Sequence, residues 1–139
     1  MLMKRFILLA AMMISLITTA QIQVTESKTE DIYKARMGAI RLTKFTSEED
    51  GVHYAFYFRN AEYKQIVDFE YISFNDTTEV KEFFETVIKA IDEKNEFDVV
   101  IGNQDITIRR GMAQSVYISN RKGYCYVSRK EAEAIISSL

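Results

Sequence analysis

Between Asp76 and Asn95 the apolar residues Val80, Phe83, Phe84, Val87, Ile88 and Ile91 recur at i, i+3, i+4, i+7, i+8 and i+11. That spacing puts all six on one stripe of an α-helix and fits no strand, so it predicts a long amphipathic helix over about 77–95. Asp76 stands three residues before Glu79, as in a capping box, and Asn95 suits the left-handed residue that ends a helix. Glu85 and Lys89 supply an i, i+4 ion pair worth about 0.2–0.5 kcal/mol. Burying the six apolar side chains contributes roughly 1.5–3 kcal/mol each, so the helix depends on whatever covers its stripe.

Elsewhere the pattern has period two or is interrupted. Gln21 to Thr29 alternates Ile22 and Val24 before turning polar, which reads as a short first strand or a frayed terminus. From Asp31 to Phe45 the parity changes across Gly38, which predicts one strand with a β-bulge there; a short helix over Thr29 to Met37 is the alternative. Thr46 to Gly51 is a turn, and His53 to Arg59 is a strand with Tyr54, Phe56 and Phe58 on one side. After Asn60-Ala61-Glu62 a third strand is expected from Tyr63 to Asn75, with Val67, Phe69 and Tyr71 on one face and Ile66, Ile72 and Phe74 on the other. Both faces are then partly apolar, so the second must be covered by curvature, another element or a partner.

Beyond the helix, Phe97–Ile101 and Asp105–Arg109 flank Gly102-Asn103-Gln104, and Ser115–Ser119 and Tyr124–Val127 flank Asn120-Arg121-Lys122-Gly123. Both read as hairpins. Ser128 and Glu131 form an S-x-x-E start for a short C-terminal helix with Ala132, Ile135, Ile136 and Leu139 on one stripe. The expected fold is α+β: a mainly antiparallel sheet, one long amphipathic helix and a short C-terminal helix, because the turns are too short for parallel crossovers.

The first twenty residues have another character. Lys4 and Arg5 precede a run from Phe6 to Ile17 broken only by Ser15, and Thr18-Thr19-Ala20 offers small residues at a cleavage position. Residues 1–20 therefore read as a signal peptide cleaved after Ala20, leaving a single domain over 21–139 that is periplasmic or secreted. The apolar run is shorter than the roughly 20 residues that span a bilayer, so no stable membrane span is expected after processing. Cleavage removes two of the 18 basic residues and none of the 20 acidic ones, leaving 16 against 20, a net of −4. An acidic balance gives no default affinity for nucleic acid. Cys125 is the one cysteine, so no internal disulfide exists, and its alternation with Val127 puts it on the core side as an inert thiol.

Candidate chemistry is sparse. His53 is the single histidine, and an acid/base reading would pair it with Asp68 or Glu70 in a small hydrolase or transferase. Glu48, Glu49 and Asp50 are too few and too close for an EF-hand loop, and no glycine-rich phosphate cradle occurs. No cofactor, metal ligand set or catalytic residue is assigned. What remains is Tyr117, Tyr124 and Tyr126 interleaved with Arg109, Arg110, Arg121 and Lys122 in the basic last third of the chain. Tyrosine and arginine dominate binding hot spots, so these seven residues form the expected binding surface.

The run Phe58-Arg59-Asn60-Ala61-Glu62-Tyr63 with Ile72-Ser73-Phe74, and a leader ending in Ala20 before Gln21, resembles segments of small uncharacterised exported proteins of Bacteroidetes-type bacteria. The resemblance implies a cell-envelope location and carries no activity with it. The functional expectation is a non-enzymatic envelope protein that binds another macromolecule, with a protein partner or a second copy of the chain as candidates.

Overall fold

The computed structural model describes residues 26–139. The expected leader, its cleavage point and residues Gln21 to Thr25 of the first expected strand lie outside them. Four strands come first: β1 (Ser27–Ala35), β2 (Ile40–Ser47), β3 (Gly51–Arg59) and β4 (Phe69–Phe74). Helix α1 (Thr77–Glu93) follows, then β5 (Phe97–Ile101), β6 (Gln104–Arg110), β7 (Ser115–Ser119) and β8 (Tyr124–Ser128), and α2 (Arg129–Ser138) closes the chain. The fold is α+β and every strand pairing is antiparallel. Instead of one sheet, however, the strands form two four-stranded meanders, β1-β2-β3-β4 and β5-β6-β7-β8.

Four local expectations are corrected. The parity change at Gly38 is a chain reversal between two strands, not a bulge within one, and strand β1 followed by a three-residue 3-10 turn at Arg36–Gly38 stands where the alternative helix was expected. Arg36, Met37 and Gly38 all have positive φ, which turns the chain back on itself, while the bulge lies at Asp31/Tyr33. The third strand starts at Phe69 rather than Tyr63, leaving Ile66 and Val67 exposed in a loop. The loop is anchored instead by Asn60, whose N–H donates to the Asp68 carbonyl at 2.7 Å. At the end of α1 it is Lys94, not Asn95, that adopts the left-handed conformation. Glu85 pairs with Lys81 at 3.9 Å, and Lys89 instead lies over the Phe97 ring.

The helix stripe is covered from three sides. Val80, Phe83, Phe84 and Val87 are buried as the spacing predicts, joined by Ala90, while Ile88 and Ile91 are half-buried at its margin. Phe84 meets Phe56 of β3 edge-on at 5.2 Å and Phe83 meets Phe74 of β4 at 5.5 Å, so the first half of α1 is held by the first sheet. Ile106 and Ile108 of β6, Val116 and Ile118 of β7, and Ala132 and Ile135 of α2 complete the same core. α2 begins with a full capping box, the Ser128 hydroxyl accepting from the Glu131 N–H and the Glu131 carboxylate from the Ser128 N–H.

The sheets are joined by backbone and side-chain groups that satisfy strand edges. Strand β8 runs along the end of the first sheet: the Ala61 N–H donates to the Tyr124 carbonyl at 2.8 Å, and the Arg36 guanidinium donates to the Tyr126 carbonyl. Asn60, fully buried, donates to Asp68 and to the Lys122 carbonyl, and accepts from the N–H groups of Glu62 and Tyr124. All of its hydrogen-bonding capacity is used. On β4 the Gln104 side-chain amide donates to the Ser73 carbonyl and accepts from the Ser73 N–H, each at 2.8 Å, in place of a further strand.

Candidate binding surface

Alternation along β7 and β8 sends Val116, Ile118, Cys125 and Val127 into the core and leaves Tyr117, Tyr124 and Tyr126 on the outer face of the second sheet. Tyr117 and Tyr126 are directly paired across the strands, with ring centroids 4.3 Å apart. Tyr124 packs edge-on against both, at 5.9 Å and 6.0 Å. The adjacent Tyr117 hydroxyl is the largest influence on Tyr126, ahead of burial and the charges of the neighbouring tyrosines, and pushes its hydroxyl pKa up to about 12. The three rings thus form one self-packed cluster.

The basic residues divide. Arg109 is the cross-strand partner of Tyr117 and is held by Asp98 at 2.9 Å and Glu96 at 3.6 Å, so it borders the tyrosines in a fixed position. Arg121 pairs with Asp105 at 2.7 Å in the β7–β8 turn. With Lys122, Tyr71 and Glu70 it lines a cleft of about 310 Å³ where the two sheets meet. Arg110 does not join the group. It shares the side of β6 that carries Ile106 and Ile108, opposite Val116 in register, and lines a separate cleft with Asp92 and Lys94 beside the end of α1.

The first sheet contributes a second aromatic face. Phe45 stacks on His53 at 5.0 Å and leans on Tyr57 at 6.3 Å, Arg41 lies over Tyr57 at 4.8 Å, and Tyr57 meets Tyr71 at 5.7 Å. The Phe45–Tyr57 contact runs diagonally across the Thr43–Ala55 pair, which explains why those two residues are buried on an outward face. The apolar surplus expected on this face is therefore covered in part by its own side chains. Phe69 and Tyr71 stay 44% and 50% exposed, and Tyr71 carries this face to the cleft bearing Arg121 and Lys122. Period-two alternation in Gly51 to Arg59 contains that face, but the contribution of β2 was hidden by the expected bulge at Gly38.

His53 and the carboxylates are not brought together. His53 lies opposite Phe45, whereas Glu70 lies opposite Phe58, five residues farther along β3 and roughly 16 Å away. Asp68 is engaged by Asn60. Cys125 is buried, and burial pushes its thiol pKa far above the ordinary range, so it carries no thiolate at neutral pH. Among the described residues no group of three His, Cys, Asp or Glu side chains converges on a metal position, and no helix is long and apolar enough to cross a membrane. No family model matches the chain, and comparison with curated proteins and with solved structures likewise gives no match.

Proposed function

We propose that this protein is an exported, non-enzymatic binding protein of the cell envelope that holds a protein partner against the outer face of its second sheet. The observation that carries the reading is the Tyr117, Tyr124 and Tyr126 cluster with Arg109 fixed beside it. Tyrosine offers a large contact area with few rotatable bonds, and rings already packed on one another lose little freedom on binding. Arg121 and Lys122 extend the surface across the cleft towards Tyr71, and Arg110 is left out because it faces another side.

The test is affinity capture from the envelope fraction of the producing cells. Wild-type protein should retain a defined partner, and a Tyr117→Ala/Tyr126→Ala variant with an unchanged circular dichroism spectrum should lose it. Retention of the same partner by the folded variant would refute the surface. Export has its own measurement: the isolated protein should have the mass of a chain beginning at Gln21, and a chain still carrying residues 1–20 overturns that part.

A further inference from the structure

The two sheets have four edges; among the described residues two of them are closed by other groups and a third is protected. Gln104 occupies β4, and Ala61 and Arg36 occupy β8. β1 carries a bulge at Asp31/Tyr33 and the exposed charges of Lys28, Glu30 and Lys34. β5 has no such protection. The two-residue turn Gly102-Asn103 makes Ile101 and Gln104 the closing pair, so the backbone groups of Phe97, Val99 and Ile101 point at β6 and those of Asp98 and Val100 point outward. Among the described residues no loop or cap bonds those outward groups. Val100 is 69% exposed, and the one carboxylate on the strand, Asp98, is paired with Arg109.

We infer that β5 is the contact through which two copies of this chain pair about a twofold axis, joining their second sheets into one eight-stranded sheet. The strand is complementary to itself. Antiparallel pairing centred on Val99 sets Asp98 of each copy opposite Val100 of the other, so the outward N–H and C=O groups satisfy one another. On the inner side Val99 then faces Val99 and Phe97 faces Ile101, an apolar row that continues the partly buried inner row of β5.

Charge selects a second copy over an arbitrary extended peptide. Lys89 of α1 lies over Phe97 at one end of β5. At the other end Glu79, Glu82, Phe83 and Thr86 line a cleft of about 270 Å³ with Val99 to Gly102. The twofold that sets Phe97 against Ile101 of the other copy lays the Lys89 end of each helix alongside the Glu79 and Glu82 end of the other. The complementarity is therefore satisfied twice in one interface. The paired sheet would also display two tyrosine clusters on one outer face, though the inference stands without the binding reading above.

Sedimentation of the full mature chain tests the dimer, and variants test its register. Val100→Pro removes an outward N–H and no bond to β6, and should weaken dimerisation on the order of a hundredfold. Glu82→Lys and Lys89→Glu should each weaken it about tenfold by placing like charges together, and the double swap should restore it. In this register residue 99 faces its own copy in a non-hydrogen-bonded pair with Cα atoms about 4.5 Å apart, within disulfide reach. Mild oxidation should then cross-link Val99→Cys into covalent dimers. Val100→Cys, whose copies stand diagonally at about 7–8 Å, should cross-link far less. A wild-type chain that sediments as a monomer overturns the inference. So does a dimer in which Val99→Cys fails to cross-link or the double charge swap binds no better than either single change.

Discussion

A Cβ added at Gly123 would lie 2.3 Å from Cγ of Asn60. The glycine is needed for space and not for its backbone angle, since it is absent from the positive-φ positions. Asn60 cannot yield, because it is fully buried and bonded to Asp68, Lys122, Glu62 and Tyr124. Gly123→Ala should therefore destabilise the fold by about 2–3 kcal/mol, the cost of overpacking together with loss of at least one of those bonds. Urea denaturation of the variant checks this, and an unchanged midpoint would show that the β7–β8 turn can move away from Asn60.

Gln104 replaces a missing strand with one side chain. Truncating it to alanine strips the Ser73 N–H and carbonyl of their partners and reopens the edge of β4. The expected cost is about 1–3 kcal/mol, with a greater tendency to aggregate as protein concentration rises. Thermal unfolding combined with light scattering measures both.

Arg36 clasps Glu131 through Nε at 2.9 Å and Nη2 at 2.8 Å, tying the β1–β2 turn to α2. Burial alone would raise the Glu131 pKa, but hydrogen bonds from Arg36 and Ser128 outweigh it and hold the carboxyl below its ordinary value. A depressed carboxylate contributes stability above its unfolded pKa and loses it as pH falls through the folded one. Wild-type protein should thus lose stability as pH drops below about 4, and Glu131→Gln should be less stable at pH 7 while converging on wild type in acid. Denaturation midpoints collected across that range decide it, and a pH-independent difference would sink the linkage.

Tyr126 should titrate near pH 12, and Tyr117→Phe should lower its pKa towards the ordinary value of 10.0. Because the folded pKa is raised, the associated stability is present below the unfolded pKa and is lost as pH rises through the folded one. Ultraviolet titration of the phenolates in both proteins tests the influence of Tyr117 independently of any partner.

Legibility in the sequence followed the range of the interactions. The stripe from Val80 to Ile91, the Ser128 and Glu131 capping box, the two C-terminal hairpins and the inward turn of Cys125 all rest on neighbours a few residues apart, so period and spacing determined them. The tyrosine cluster was legible for the same reason, since Tyr117 and Tyr126 belong to one hairpin. Tertiary structure decided whatever depends on distant partners. Arg110 is separated from Arg109 by strand parity at a sheet end, and Asn60 is a buried hub only because the β7–β8 turn arrives beside it. The reversal at Gly38 and the division into two sheets were hidden for a related reason. A parity change looks the same for a bulge and a turn, and hairpin spacing does not say which edges remain unpaired once Gln104, Ala61 and Arg36 have closed theirs.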